Sequence, residues 1–123
     1  MNKGLEILVV DDEALVGETI KLLLDHEEHK VCHVESGEAA LAELAQRKFD
    51  LVITDFLMPG MQGDELVANI RQLAPAQPII MVTAFIHEFK VFGQSAGKPD
   101  AILLKPFSLT ELRDAIHRVL TRE

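Results

Sequence analysis

Four residues, Leu51-Val52-Ile53-Thr54, run straight into an acid, Asp55, and then into the turn Met58-Pro59-Gly60. The run is rich in β-branched side chains, the pattern of a short strand buried on both faces. Proline fixes φ and glycine permits φ > 0, so the turn has a local cause. A strand without a polar face needs cover on both sides of its sheet, which leaves few folds open to a chain of 123 residues. Its terminal acid then sits where an open α/β sheet presents its chemistry. Taken alone, Asp55 reads equally well as an ordinary turn residue.

The same alternation runs along the chain. Leu5 to Val10 reads as a first buried strand, followed at once by Asp11-Asp12. From Glu13, Val16, Ile20, Leu23 and Leu24 recur at helical spacing. Lys30 to Val34 is a second strand, and Ser36-Gly37-Glu38 opens a second helix with Leu41, Leu44 and Ala45 inside. After the strand that ends at Asp55, Gly63-Asp64-Glu65 starts a third helix carrying Leu66, Val67, Ile70 and Leu73, which stops before Pro75. Pro78 to Val82 is a fourth strand that delivers Thr83. Phe85, Phe89 and Phe92 share one face of a fourth helix, which Gly93 and Gly97 weaken. Ala101 to Leu104 is a fifth strand leading into Lys105-Pro106. Ser108 and Glu111 fit a capping box, with Phe107 and Leu112 at the staple positions, for a fifth helix.

Five strands alternating with five helices imply a doubly wound parallel sheet covered on both faces. Right-handed crossovers favour the order 2-1-3-4-5, a flavodoxin-like (βα)5 fold in one domain over residues 1–123. A crevice then forms beyond the tips of the first and third strands.

Composition removes several function classes. The formal net charge of −8 argues against a nucleic-acid surface, because phosphate binding needs a basic patch. No apolar run is long enough for a membrane span, and Met1-Asn2-Lys3-Gly4 lacks a signal-peptide core. The single Cys32 reads as a small buried hydrophobe and fits a reducing cytoplasm. His26, His29 and His33 straddle a helix end and a strand, which is poor geometry for a metal site, and His117 reads as solvated.

Four of the five strand tips aim a polar group at one edge: Asp11 and Asp12, Asp55, Thr83 and Lys105. Carboxylates about 4 Å apart repel by roughly 4 kcal/mol per pair at an effective dielectric near 20, which surface turns have no reason to accept. The cluster therefore points to a bound cation, and an oxygen-only donor set suits Mg²⁺. Lys105 adds a mobile positive charge and Thr83 a hydroxyl donor, the groups that hold phosphoryl oxygens during transfer. Asp55 is best placed as the nucleophile, giving an aspartyl phosphate. Asp12 reads equally well as the cap of the first helix.

The segments Val9-Val10-Asp11-Asp12-Glu13, Asp55-Phe56-Leu57-Met58-Pro59-Gly60-Met61-Gln62-Gly63, Val82-Thr83-Ala84 and Leu104-Lys105-Pro106-Phe107 resemble, in order and spacing, a receiver domain of two-component response regulators. The resemblance covers essentially the whole chain. It implies that Asp55 takes a phosphoryl group from a phosphohistidine on a sensor kinase or histidine phosphotransfer protein. It implies direct Mg²⁺ ligation by Asp12 and Asp55, ligation through water by Asp11, and a further ligand in the Leu57 backbone carbonyl. It also implies a cis Lys105-Pro106 peptide. The fifth strand with the fourth and fifth helices would be the face that signals to an output partner or pairs two copies. Such a domain catalyses only its own phosphorylation and dephosphorylation.

The chain departs from the family pattern in two places. Ile102 stands where the family usually carries the Tyr or Phe that switches with the threonine. An aliphatic β-branched side chain is stiff and has no ring to swing, so switching is expected to run through Thr83, with Ile102 a passive packing residue. Gly97-Lys98-Pro99-Asp100 is one residue longer than the usual turn. Leu57 and Phe85 should flank the mouth of the site, where neither can orient water, so phosphate loss should be slow. Two other readings use the same residues: a Mg²⁺-dependent phosphohydrolase, which would want a second acid where Leu57 stands, and a degenerate receiver that only docks. A flavin carrier on this fold would need a Ser/Thr/Gly-rich phosphate loop after the first strand, which is not there.

Overall fold

A computed structural model describes residues 4–84 and 98–121. In chain order the elements are β1 (Glu6–Val10), α1 (Ala14–His26), β2 (Lys30–Val34), α2 (Gly37–Gln46), β3 (Leu51–Asp55), α3 (Gly63–Leu73), β4 (Ile79–Thr83), β5 (Ala101–Leu104) and α4 (Leu109–Leu120). The strands pair in parallel in the order β2-β1-β3-β4-β5, as expected. The predicted helix at Phe85, Phe89 and Phe92 lies outside the described residues, so α4 is the helix expected fifth.

Successive strand residues face opposite ways, and two cores follow from that period of two. Ile7, Val9, Leu51, Ile53, Ile80 and Val82 pack with Ile20 and Leu24 of α1 and Leu112, Ala115 and Ile116 of α4. Leu8, Val10, Val52, Ile79 and Met81 pack with Ala40 of α2 and Leu66, Val67 and Ile70 of α3. Because both faces are covered, β3 is buried from Leu51 to Thr54 and emerges only at Asp55. Cys32 on the edge strand β2 is half-buried rather than buried, because only one strand and one helical layer cover it.

Helix starts follow their caps. Ser36 Oγ accepts the Ala39 N–H at 3.0 Å. At α4 the capping box forms in full: the Glu111 N–H donates to Ser108 Oγ at 3.1 Å and the Ser108 N–H to Glu111 Oε1 at 2.8 Å. At α1 the cap expectation for Asp12 is corrected. The helix begins one residue later, so the N-cap is Glu13, without a side-chain cap bond, and the Asp11 carboxylate accepts the Glu13 N–H at 2.9 Å. The Lys105-Pro106 peptide is cis.

Two ties hold the far ends of the elements. Arg71 on α3 donates to the Lys98 and Gln77 carbonyls and pairs with Asp100 Oδ2 at 3.0 Å, while that same oxygen accepts the Ile79 N–H at 2.8 Å. This fixes the turn before β5 against the start of β4. Arg113 on α4 clasps Glu27 at the end of α1 through two bonds, 2.7 and 2.8 Å, and holds the Glu27 carboxyl below its ordinary value. Of the three histidines near α1 and β2, His29 is buried with Nδ1 accepting the Leu5 N–H at 3.2 Å, and burial lowers its pKa.

Candidate functional site

The sheet order puts the tips of β1 and β3 side by side, with Val10 opposite Thr54. Asp11 and Asp12 follow β1 directly and Asp55 closes β3, so the topology alone brings the three acids to one edge. Their carboxylate oxygens lie within 4.8 Å of one another, the one such His/Cys/Asp/Glu cluster among the described residues. Thr83 closes β4 and Lys105 follows β5; the Lys105 N–H donates to the Thr83 carbonyl at 2.9 Å, extending the ladder to the site.

Lys105 Nζ lies 3.5 Å from Asp55 Oδ1 and 3.7 Å from Asp11 Oδ2. Asp55 Oδ1 also accepts the Phe56 N–H at 2.9 Å. Those contacts favour the charged carboxylate, yet burial outweighs them. With Asp11 adding like-charge repulsion, the Asp55 carboxyl is pushed up to about 6 from 3.8. One lysine does not neutralise three clustered acids.

A cavity of about 320 Å³ opens above the acids, lined by Asp12, Glu13, Asp55, Leu57, Thr83, Ala84 and Lys105. Five site residues expected from sequence, Asp12, Asp55, Leu57, Thr83 and Lys105, meet at this opening, and Asp11 sits buried beneath it. Leu57 is partly exposed at the mouth. Ile102 does not reach it: it pairs with Met81 inside the sheet and packs against the α2–α3 core. Phe85 lies outside the described residues. Glu13 was not expected from sequence; its signal is its place one residue past an acid pair, where a helix leaves N–H groups without intrahelical partners.

An all-oxygen donor set with excess negative charge in a solvent-open cavity is what a hard divalent cation requires, so the residues present fit Mg²⁺. The same cavity is lined by one carboxylate, Asp55, with the Lys105 ammonium 3.5 Å from it, and by the buried Thr83, and it is large enough for a phosphoryl group.

Comparison with known proteins agrees with this fold. The chain is 38% identical over 118 residues to the transcriptional regulatory protein ResD of Bacillus subtilis, covering 95% of this chain and 48% of that protein. It is 31% identical to the chemotaxis protein CheY-3 of Vibrio cholerae over 99% of this chain and 96% of that one. It spans about half the length of ResD and 12% of the sensor histidine kinase AruS of Pseudomonas aeruginosa, to which it is 40% identical over 122 residues. Among solved structures it is similar to the response regulator TrrA of Thermotoga maritima in complex with Mg(2+)-BeF, with a TM-score of 0.85 at 35% identity, covering 94% of this chain and 98% of that one. A putative response regulator of Chloroflexus aurantiacus superimposes with a TM-score of 0.88 at 35% identity, covering 98% of this chain and all of that one. The family model of the response regulator receiver domain matches residues 7–117, and the chain belongs to that family.

Proposed function

We propose that this domain accepts a phosphoryl group on Asp55 from a phosphohistidine of a sensor kinase or phosphotransfer protein and relays that state to an output partner. One observation carries the reading: Asp55 ends the central strand within 4.8 Å of two further acids and 3.5 Å from Lys105, with its carboxyl pushed up to about 6. A charge arrangement this unfavourable in a metal-free site fits a purpose other than stability.

Asp11, Asp12, Asp55 and the Leu57 backbone carbonyl would hold the Mg²⁺, which when bound neutralises phosphoryl oxygen charge. An Asp55 carboxylate oxygen attacks phosphorus as the P–N bond to the donor imidazole breaks, and the bonding pair leaves on that nitrogen. Lys105 donates from its ammonium to a phosphoryl oxygen, and Thr83 donates from its hydroxyl. Leu57 at the mouth has no group that could orient an attacking water, which supports slow loss of phosphate. It also weighs against a hydrolase, which would want an acid there. The fifth strand and α4 would carry the altered surface to the partner, with Ile102 packing rather than switching, and two copies could pair through it. The family resemblance supports a cytoplasmic setting, and no helix among the described residues is long and apolar enough to cross a membrane.

The test is transfer from a phosphorylated histidine phosphotransfer domain. Label should move to this chain with Mg²⁺ present and stay on the donor in excess chelator. Equal transfer in both would contradict the proposal.

A further inference from the structure

The peptide that joins Asp11 to Asp12 is held from outside its own segment. The Asp11 carbonyl accepts a hydrogen bond from His33 Nε2 on β2 at 3.0 Å. A carbonyl can only accept, so Nε2 is the donor in this bond. Because this carbonyl and the Asp12 N–H belong to one planar unit, fixing it sets the rotation on either side of it. It therefore aims both acids. On its other side the ring places Nδ1 3.2 Å from Glu18 Oε2 of α1, and the His33 side chain is only 4% exposed.

The ring fits there because α1 carries a glycine beneath it. A Cβ at Gly17 would fall inside the imidazole, meeting Nε2, Cε1 and Cδ2. Gly17 lies in the helix body, where glycine costs roughly 0.5–1 kcal/mol relative to alanine. The helix makes no turn at Gly17, so the room for the ring is what this residue supplies.

We propose that His33, seated on Gly17, is a positioning residue for the acidic cluster: it holds the Asp11–Asp12 peptide so that mutually repelling carboxylates stay converged for a divalent cation. Asp11 has its other polar groups occupied as well, with its N–H on the Val34 carbonyl at 3.1 Å and its carboxylate on the Glu13 N–H and near Lys105. Removal of the His33 bond frees that peptide to rotate and relieve the repulsion. The inference rests on the Mg²⁺ reading of the site.

The experiment measures Mg²⁺ binding by calorimetry in the native protein, His33→Ala, His33→Gln and Gly17→Ala. In parallel it measures the hydrogen-exchange protection of the Asp12 and Glu13 amides without metal. His33→Ala and Gly17→Ala should each weaken Mg²⁺ about tenfold or more, the scale found when a group supporting a metal ligand is lost. Both should also lower amide protection at 12 and 13. Gln carries an N–H at a reach similar to Nε2 and should restore both readings. A folded His33→Ala or Gly17→Ala that binds Mg²⁺ as tightly as the native protein overturns the inference. So does a Gln variant as weak as the Ala one in both readings. Should His33→Ala not fold, Gly17→Ala, which keeps the imidazole but displaces it, decides. If the native protein itself bound no Mg²⁺, the functional reading would fail instead.

Discussion

In metal-free solution at pH 7, Asp55→Asn should stabilise the domain by about 2–3 kcal/mol, the reverse of what loss of a structural carboxylate does. The Asp55 carboxyl sits at about 6 in the fold against 3.8 for an ordinary aspartate, chiefly because it is buried. At about 1.4 kcal/mol per pH unit, holding it charged costs about 3 kcal/mol, which the neutral amide largely avoids. Between about pH 4 and 6 the folded chain retains a proton that the unfolded chain has released. The contribution of Asp55 to stability therefore falls as pH rises through that window and is level above it. The difference in unfolding free energy between the Asn variant and the native protein should thus grow from pH 4 to pH 6.5 and then plateau. Denaturant unfolding across that range, in chelator, measures it; a variant less stable than the native protein would show Asp55 to be a structural acceptor.

Gly63→Ala should cost about 3 kcal/mol or more, at the upper end for overpacking, because what it meets cannot move aside. A Cβ at Gly63 would run into the Asp55 carbonyl oxygen and sit 2.8 Å from the Phe56 Cα, both backbone. The Gly63 N–H already donates to the Phe56 carbonyl at 2.8 Å, which holds α3 against the loop behind the central acid. The substitution must push the two segments apart and move Asp55 with them, so phosphoryl acceptance should fall together with stability. Gly37→Ala is the control: the atoms nearest its new methyl belong to the side chain of Met61, whose thioether end can swing away. Thermal unfolding of the two variants should separate them widely, and equal losses would contradict the packing account.

Much of the fold follows from local pattern. Leu51 to Thr54 reads as a doubly buried strand because consecutive apolar residues leave no polar face, and both cores use it. Ser108 and Glu111 signal a helix start because both halves of the box lie within one turn. The strand tips are legible for the same reason, and the topology then gathers their acids. Asp12 as a helix cap is the natural local reading, but the helix starts one residue later, with Glu13 at the N-cap and its N–H on the carboxylate of Asp11. What local pattern could not supply is contact between distant elements. Gly17 beneath His33, Gly63 against Asp55, and Arg113 on Glu27 across 86 residues are each defined only once the elements pack. A glycine reserved for a neighbour's ring looks, in sequence, like a weak point in a helix. Ile102 is a different case: the sequence said what it lacked, and the fold packs it, partly buried, against the α2–α3 core rather than at the cavity.

The most direct measurement is intact mass after incubation with acetyl phosphate and Mg²⁺. The native protein should gain one phosphoryl group, sensitive to hydroxylamine as an acyl phosphate is, and Asp55→Asn should gain none. No mass gain in the native protein, or an equal gain in the Asn variant, would contradict phosphoryl acceptance at Asp55.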